Sequence, residues 1–239
     1  IYQIGLTTDQ NLSVAGSVAS MPYRVSLGYN NQRGTLKTSS YERITVGVNL
    51  SPSFFNDHLK VIANIKGVRN NNVYADGGAV GSAAFADPTQ AVYVYNADGS
   101  INYNKFNGFS NWGTTALPNN LSGTNPLSLL YDKFDKAHTN RAIGNLELDY
   151  KVHFLPELRA HLNLGFDYAQ GKGENGVNQN SFQAWKDADF KGIGRKTQWN
   201  NERRNTVLDF YLNYTKEVPS IKSKFDLMGG YSWQHFYSK

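Results

Sequence analysis

Hydrophobic and polar residues alternate with a period of two along about eight segments of the chain. In the two clearest segments, Leu146 to Phe154 and Leu158 to Tyr168, every second residue is apolar and most of those between are charged or amide residues. Successive residues of a strand point to opposite faces of a sheet, so this period is typical of β-strands with one apolar face. The predicted strands are 11–19, 23–30, 43–50, 59–66, 145–154, 158–168, 208–215 and 224–234.

The connections between the predicted strands fall into two groups of different length. Every other connection is a short turn that holds a proline, and these are Pro22, Pro52, Pro156 and Pro219. Proline cannot donate a hydrogen bond to a ladder and therefore belongs at strand ends. The alternate connections are longer and cover about 32–40, 70–138 and 171–196. Short turns at one end and long loops at the other are typical of bacterial outer-membrane barrels, so we predict an all-β fold, an antiparallel transmembrane β-barrel.

The strand lengths and the strand ends agree with that prediction. A transmembrane strand needs about nine to eleven residues, and aromatic residues gather at the two interfaces of such a barrel. The aromatic residues near the predicted ends are Tyr23, Tyr29, Tyr41, Phe154, Tyr168, Tyr214, Trp233 and Phe236.

Register can be predicted at one turn. Phe154 and Leu158 should share a face, because a slip of one residue would turn a whole strand over. We therefore predict a three-residue turn at 155–157. The pairs that follow from this turn are Lys151 with His161 and Asp149 with Asn163.

Two other β architectures also alternate. A soluble antiparallel sandwich would do so, and so would a complete small outer-membrane barrel of eight strands; either would have an adhesion or structural role. Sandwich strands are usually shorter, and their loops do not sort into a short end and a long end. The sorting of the connections therefore favours part of a barrel wall.

Composition narrows the possibilities further. The 239 residues have a mean hydropathy of −0.52, and no run of about 18 apolar residues predicts a transmembrane helix. The chain has no cysteine and a net charge of +5, and its basic residues are scattered, so no nucleic-acid surface is indicated. It begins at Ile1 with neither Met nor a signal peptide, and we interpret it as a fragment of a longer protein.

Several short strings resemble one family when they are taken in order. They are Asn11 to Val14, Pro22 to Tyr29, Gly34 to Lys37, Asn49 to Pro52, Asp87 to Gln90 with Val92-Tyr93, and Asn125 to Leu127. In this order and spacing the chain resembles the SusC/RagA-type TonB-dependent transporters of Bacteroidota. The strings cover most of the first 150 residues, and the rest of the chain matches in style.

The resemblance implies a barrel of about 22 strands, plugged by an N-terminal domain that is absent from residues 1–239. It implies a location in the outer membrane and import of oligosaccharides or peptides, powered through the TonB complex by way of the missing plug. It also implies a SusD-like surface lipoprotein as a partner. About eight strands of the barrel and two long outward loops would be present here.

Candidate site residues lie in the loops and on the polar strand faces. Aromatic residues of the loops could stack on solute or dock a partner, or could pack the core of the loop itself; they are Tyr93, Tyr95, Phe109, Trp112, Trp185 and Trp199. Candidates that face the lumen are Glu147, Asp149, Lys151, Arg159, His161 and Asn163. A hydrolase on a β scaffold would need a nucleophile or an acid/base pair in a recognisable pattern, and none is present; the sequence predicts no enzyme, metal site or cofactor.

Overall fold

The computed structural model describes residues 1–18, 21–119, 121–189 and 191–239, and within them the dominant feature is one antiparallel sheet. Its strands are β1 Leu6–Val18, β2 Met21–Arg33, β3 Ser40–Leu50, β4 Ser53–Phe54, β5 Leu59–Val73, β6 Lys133–Lys151, β7 Leu158–Val177, β8 Arg195–Val218 and β9 Ser223–Ser238. Each long strand pairs with the next one along the chain, and the two-residue β4 pairs only with β5. The sheet is therefore an up-and-down meander. The predicted end of the first strand at Ala19 falls outside the described residues.

Register gathers the apolar positions on one face of the sheet. One row of directly paired residues runs across seven strands: Tyr23, Leu50, Ala63, Leu146, Leu164, Leu208 and Trp233. We call this side the apolar face and the other the polar face. Large side chains of the apolar face are open to the surroundings, among them Leu12 at 65% and Leu227 at 65% exposure.

This bare face decides between the architectures. A soluble sandwich would cover the apolar face with a second sheet, yet all the long strands of the described residues belong to the same sheet. The sandwich alternative is therefore wrong. In the same part of the chain β1 and β9 are not paired with each other, so these strands do not close into a complete small barrel.

The strands are longer than the alternation predicted, and the loops are correspondingly shorter. The β5–β6 loop covers 74–132 in place of 70–138, and the β7–β8 loop covers 178–194 in place of 171–196. The added segments, such as 133–144 of β6 and 195–207 of β8, carry polar side chains on both faces. Strand pairing continues there although the apolar alternation has ended.

Two local predictions are wrong. Lys151 pairs with Arg159 and Asp149 pairs with His161, two residues away from the predicted partners. The connection covers 152–157, where Val152 donates to the carbonyl of Leu158 and Leu158 donates to that of Leu155. This longer turn keeps every side chain on its predicted face because the register moves by an even number.

The aromatic residues near the strand ends divide between the faces. Tyr23, Tyr29, Tyr168, Tyr214 and Trp233 lie on the apolar face, as interfacial girdles require. Tyr41 and Phe236 instead line the polar face, and Phe154 lies in the 152–157 turn. Five of the eight residues therefore lie on the face that a girdle requires, and three do not.

The loops form a small layer with its own core. The long loop (74–132) contains helices α1 Gly78–Ala84 and α2 Pro126–Tyr131, and the second loop (178–194) contains α3 Phe182–Lys186. The buried apolar side chains of the described residues lie in this layer: Ala79, Phe106, Leu129, Leu130, Phe182 and Ala184. None of the described helices is both long enough and apolar enough to pass through a bilayer.

Candidate functional site

The polar face lines a broad, open concavity of about 1450 Å³. Five cationic side chains and a single carboxylate border it among the described residues; they are Arg24, Arg43, Lys66, Arg141, Arg203 and Asp167. Between them lie amide and hydroxyl groups, including Asn49, Asn70, Asn145, Asn205 and Thr45. The concavity is therefore bordered by many hydrogen-bonding groups and by more cations than carboxylates.

The predicted lumen-facing residues share this face, further towards the short turns. Asp149 pairs directly with His161, Glu147 with Asn163, and Lys151 with Arg159. Directly opposed residues of an antiparallel pair project from the same side. The structure thus brings all six together on the polar face, while their exposure to the lumen of a closed barrel stays a prediction.

Carboxylates of the polar face near the short turns have partners within the sheet. Arg159 Nη2 lies 2.6 Å from Asp149 Oδ1. Asp209 accepts from Asn163 Nδ2 at 3.2 Å and from Ser232 Oγ at 2.6 Å. Glu147 accepts from Asn145 Nδ2 at 2.7 Å. These carboxylates therefore have partners of their own.

His161 is held by stacking more than by charge. Its ring stacks on Tyr211 with the centroids 4.5 Å apart. Its Nδ1 lies 3.7 Å from Asp149 Oδ2, beyond hydrogen-bond distance, and makes no hydrogen bond to a described residue. The imidazole thus lies on the polar face, and in the described part of the chain no group of three metal-ligating side chains forms around it or elsewhere.

Asn125 organises the loop layer above the concavity. Its Oδ1 accepts from the backbone N–H of Leu127 at 2.9 Å and caps helix α2, with Pro126 in the first turn. Its Nδ2 donates to the carbonyls of Val92 and Ser110 at 2.9 and 3.0 Å. One amide side chain thus joins the helix to two segments of the long loop.

A buried carboxylate joins the two loops. Asp132 is 3% exposed, and it accepts from Asn107 Nδ2 at 2.8 Å and from Ser128 Oγ at 2.8 Å. Asn107 Nδ2 also donates to the carbonyl of Gln179 in the second loop. Burial raises the pKa of the Asp132 carboxyl, and the two hydrogen bonds offset part of that rise. The contact between Phe106 and Phe182, edge to face at 5.1 Å, completes the joint.

Four of the six predicted loop aromatics pack within the protein. Tyr93 and Phe109 pair across a bridge with ring centroids 5.7 Å apart. The Trp185 ring lies against Gly192, and the Trp199 ring lies against Gly171 and Gly173, so both indoles are half-buried. Trp199 lies in strand β8, paired with Gly173, and not in a loop as predicted, because strand pairing begins at Arg195. The other three residues support the loops, and whether any of the four touches a solute stays a prediction.

The other two predicted aromatics are open to the outside. Tyr95 is 55% exposed in a small hairpin of the long loop, where it is bridged to Ile101 across a turn at Asp98-Gly99. Trp112 is 47% exposed. Further apolar side chains of the long loop are exposed as well: Phe85, Tyr103, Leu117 and Leu121.

Sequence reasoning missed two parts of the site. The cationic residues of the concavity lie on the polar faces of strands, and some lie in strand segments where the apolar alternation has already ended. Only by continuing to assign every second residue to the same face past that point would the sequence have grouped them. The Asp132 joint has one sequence signal, the Asn-Pro pair at 125–126, which is typical of a helix start. The long-range contacts of the joint, through Asn107 and Gln179, leave no local signal.

Taken together, these features define a class of protein. The sheet is a meander whose strands are long enough to cross a bilayer at a tilt. Its apolar face is bare, its other face is concave and polar, and its short turns lie opposite its long loops. Such a sheet is a section of the wall of a transmembrane β-barrel. Solved structures show the same fold. The RagAB peptide transporter matches with a TM-score of 0.66 at 16% identity, covering 96% of this chain and 24% of that chain. The RagAB peptide importer in its closed-closed state matches with a TM-score of 0.61 at 15% identity, covering 97% and 29%.

Sequence comparison supplies the particular kind of barrel. TonB-dependent receptor SusC of Bacteroides thetaiotaomicron is 40% identical over 250 residues, which cover 99% of this chain and 24% of the receptor. TonB-dependent receptor P26 of Formosa agariphila is 28% identical over 233 residues, covering 95% of this chain and 21% of the receptor. No family model matches the chain. The predicted resemblance, to part of the barrel of a SusC/RagA-type TonB-dependent transporter, is therefore confirmed.

The extent of these matches is also informative. The chain spans about a quarter of the length of the curated relatives it matches. The matched relatives are named as receptors and the matched structures as transporters or importers.

Proposed function

We propose that this chain is a section of barrel wall, with two outward loops, in an outer-membrane importer of oligosaccharides or peptides. The observation that carries the proposal is the 40% identity to a TonB-dependent receptor along 99% of the chain. The two-faced sheet supports it, because the apolar face suits lipid and the polar concavity suits a hydrated solute path.

Import would be driven from elsewhere in the assembly. The plug and the contact with the TonB complex would lie outside residues 1–239, and the wall would supply weak polar contacts to the solute. Amide, hydroxyl and charged groups of the concavity provide such contacts without performing chemistry on the solute.

A SusD-like surface lipoprotein is the proposed partner at the loop layer. The long loop exposes Phe85 at 91%, Leu117 at 80% and Leu121 at 98% of their surface. Apolar side chains gathered on one outward loop favour a protein contact. Tyr95 and Trp112 belong to the same exposed set and are proposed to meet the lid or the solute.

Uptake in whole cells tests the proposal. Cells with the full-length receptor should accumulate a labelled solute, and deletion of the receptor or of TonB should abolish accumulation equally. A receptor whose loss leaves outer-membrane uptake unchanged for every oligosaccharide and peptide in a broad panel would contradict the proposal.

A further inference from the structure

The charges that border the concavity are unbalanced. Arg24, Arg43, Lys66, Arg141 and Arg203 face it with Asp167 as the single carboxylate. Among the described residues no carboxylate lies within ion-pair distance of Arg43 or Lys66. Since the chain carries a net charge of only +5, much of its excess positive charge is concentrated on this one surface.

Near the short turns the same face carries more carboxylates, among them Glu147, Asp149 and Asp209. There Asp149 is paired with Arg159, and Asp209 accepts from two neighbours. In the concavity the one lining carboxylate, Asp167, is paired with Arg141, and the described residues place no carboxylate within ion-pair distance of Arg43 or Lys66. The missing negative charge must come from outside these residues.

Arg141 is held ready for such a partner. Its Nε and Nη2 each donate to Asp167, both at 2.7 Å, which fixes the plane of the guanidinium. Both N–H groups of Nη1 and the second N–H group of Nη2 are not used in the contact with Asp167. An ordered guanidinium with a free edge suits two-point binding of a second carboxylate or a sulfate.

Four of these cations, Arg43, Lys66, Arg141 and Arg203, extend across the sheet, and we call them the cationic band. Arg141 on β6 and Arg203 on β8 lie in one row of paired residues, with Arg43 on β3 two residues to one side of that row and Lys66 on β5 two residues to the other. At a strand spacing of about 4.8 Å the band extends for roughly 20 Å. It can therefore engage several groups along an extended solute, while the intervening Asn and Thr side chains suit sugar hydroxyls.

We infer that this cationic band binds the acidic groups of an oligosaccharide, carboxylates or sulfates, on the path of the imported solute. The inference rests on the proposed function and narrows its substrate class. Neutral oligosaccharides would lack the partner that the band requires. Acidic peptides would supply the negative charge, but they lack the sugar hydroxyls that suit the amide and hydroxyl side chains of the lining.

Binding by purified full-length receptor tests the inference. The probes are oligogalacturonates with their neutral methyl esters, sulfated oligosaccharides with their desulfated forms, and acidic peptides. We expect capture of acidic oligosaccharides that weakens as salt is raised. Arg43→Gln and Lys66→Gln should each weaken capture about tenfold, the loss of one charge-assisted contact.

Arg69→Gln is the matched control, because Arg69 pairs with Ile44 and so lies on the apolar face of the same strand as Lys66. It should leave capture unchanged. Equal binding of the neutral forms, capture of peptides alone, or no capture at all would overturn the inference. The inference would also be overturned if the Arg43→Gln and Lys66→Gln receptors lost thermal stability in the absence of ligand while their capture of the probes stayed intact. That result would show that the cations of the band are paired within the protein. TonB-dependent uptake of a neutral solute would overturn this inference and leave the proposed function standing.

Discussion

At the scale of single residues, the loop layer depends on a few buried polar side chains. Asp132 and Asn125 each join segments that are distant in sequence. Buried polar groups are costly unless every partner is present, so such residues fix one arrangement of a loop and make it sensitive to small changes.

Asp132 makes the joint between the loops dependent on pH. Its pKa is raised in the folded loop, so the folded state holds the proton more tightly than the unfolded state. The stability of the joint should therefore be greatest below the unfolded pKa of about 3.9 and should fall as the pH rises through the raised value.

Asp132→Asn should remove this dependence. The amide can still accept from Asn107, and Ser128 Oγ can accept from it while donating to Gln183 Oε1, which lies 3.2 Å away. We expect slower hydrogen exchange of the long loop at neutral pH in the full-length variant, with a flat profile once intrinsic rates are removed. Asp98→Asn is the control, since Asp98 is exposed and its pKa is lowered by Ser100. A wild-type joint that strengthens with pH would contradict the account.

Asn125→Ala should loosen the long loop by about 2–3 kcal/mol. The substitution removes a helix cap, worth about 1 kcal/mol, and two hydrogen bonds to carbonyls, worth about 1 kcal/mol each. Proteolysis of the loop in the purified receptor should show faster cleavage between 91 and 126. Asn96→Ala loses only one exposed contact, to Ser100 Oγ at 2.9 Å, and should have a much smaller effect. Equal cleavage of the two variants would rule out the role given to Asn125.

At the scale of elements, the two faces of each strand should respond oppositely to the same substitution. Leu162 lies on the apolar face of β7 and its neighbour Asn163 lies on the polar face, 3.2 Å from Asp209. Leu162→Arg should cost about 2–4 kcal/mol because it places a cation in lipid. Asn163→Arg places a cation beside the carboxylate of Asp209 and should be tolerated.

The readout is the folded fraction of full-length receptor in the outer membrane, measured by its heat-dependent mobility in gels. We expect a marked loss for Leu162→Arg and little change for Asn163→Arg. Equal tolerance of both variants, or a greater loss for Asn163→Arg, would show that the faces have been assigned the wrong way round.

The elements also show which parts of the fold were predictable. Alternation marked the strands where one face is apolar, as in 158–168, and the sorting of turns and loops gave the architecture. The alternation could not reveal that 195–207 belongs to β8, because both faces of that segment are polar. The register at 152–157 was wrong because backbone hydrogen bonds within the turn set its length, and side-chain pattern does not report them. Cross-strand partners such as Arg141 and Asp167 depend on that register and could not be paired beforehand.

At the scale of the whole molecule, this chain has surfaces that only a larger assembly would cover. The apolar face is bare, and β1 and β9 each pair on one side only in the described part of the chain. Unpaired strand edges are not tolerated in lipid. The matched relatives are more than four times as long as this chain.

Residues 1–239 produced alone should therefore aggregate in plain buffer and disperse only in detergent. The physical reason is the combination of a bare apolar face with two open edges. Gel filtration with light scattering measures this, with full-length receptor in detergent as the control. A monodisperse monomer in plain buffer would count against the barrel.

The orientation of the wall is the central claim, and two epitope insertions in the full-length receptor test it most directly. One insertion lies at Gly99, the tip of the long-loop hairpin, and the other at Ser220, in the short turn between β8 and β9. On intact cells the account predicts that antibody binds the Gly99 epitope and reaches the Ser220 epitope only after the outer membrane is opened. Antibody binding to the Ser220 epitope on intact cells, with the Gly99 epitope hidden, would contradict it.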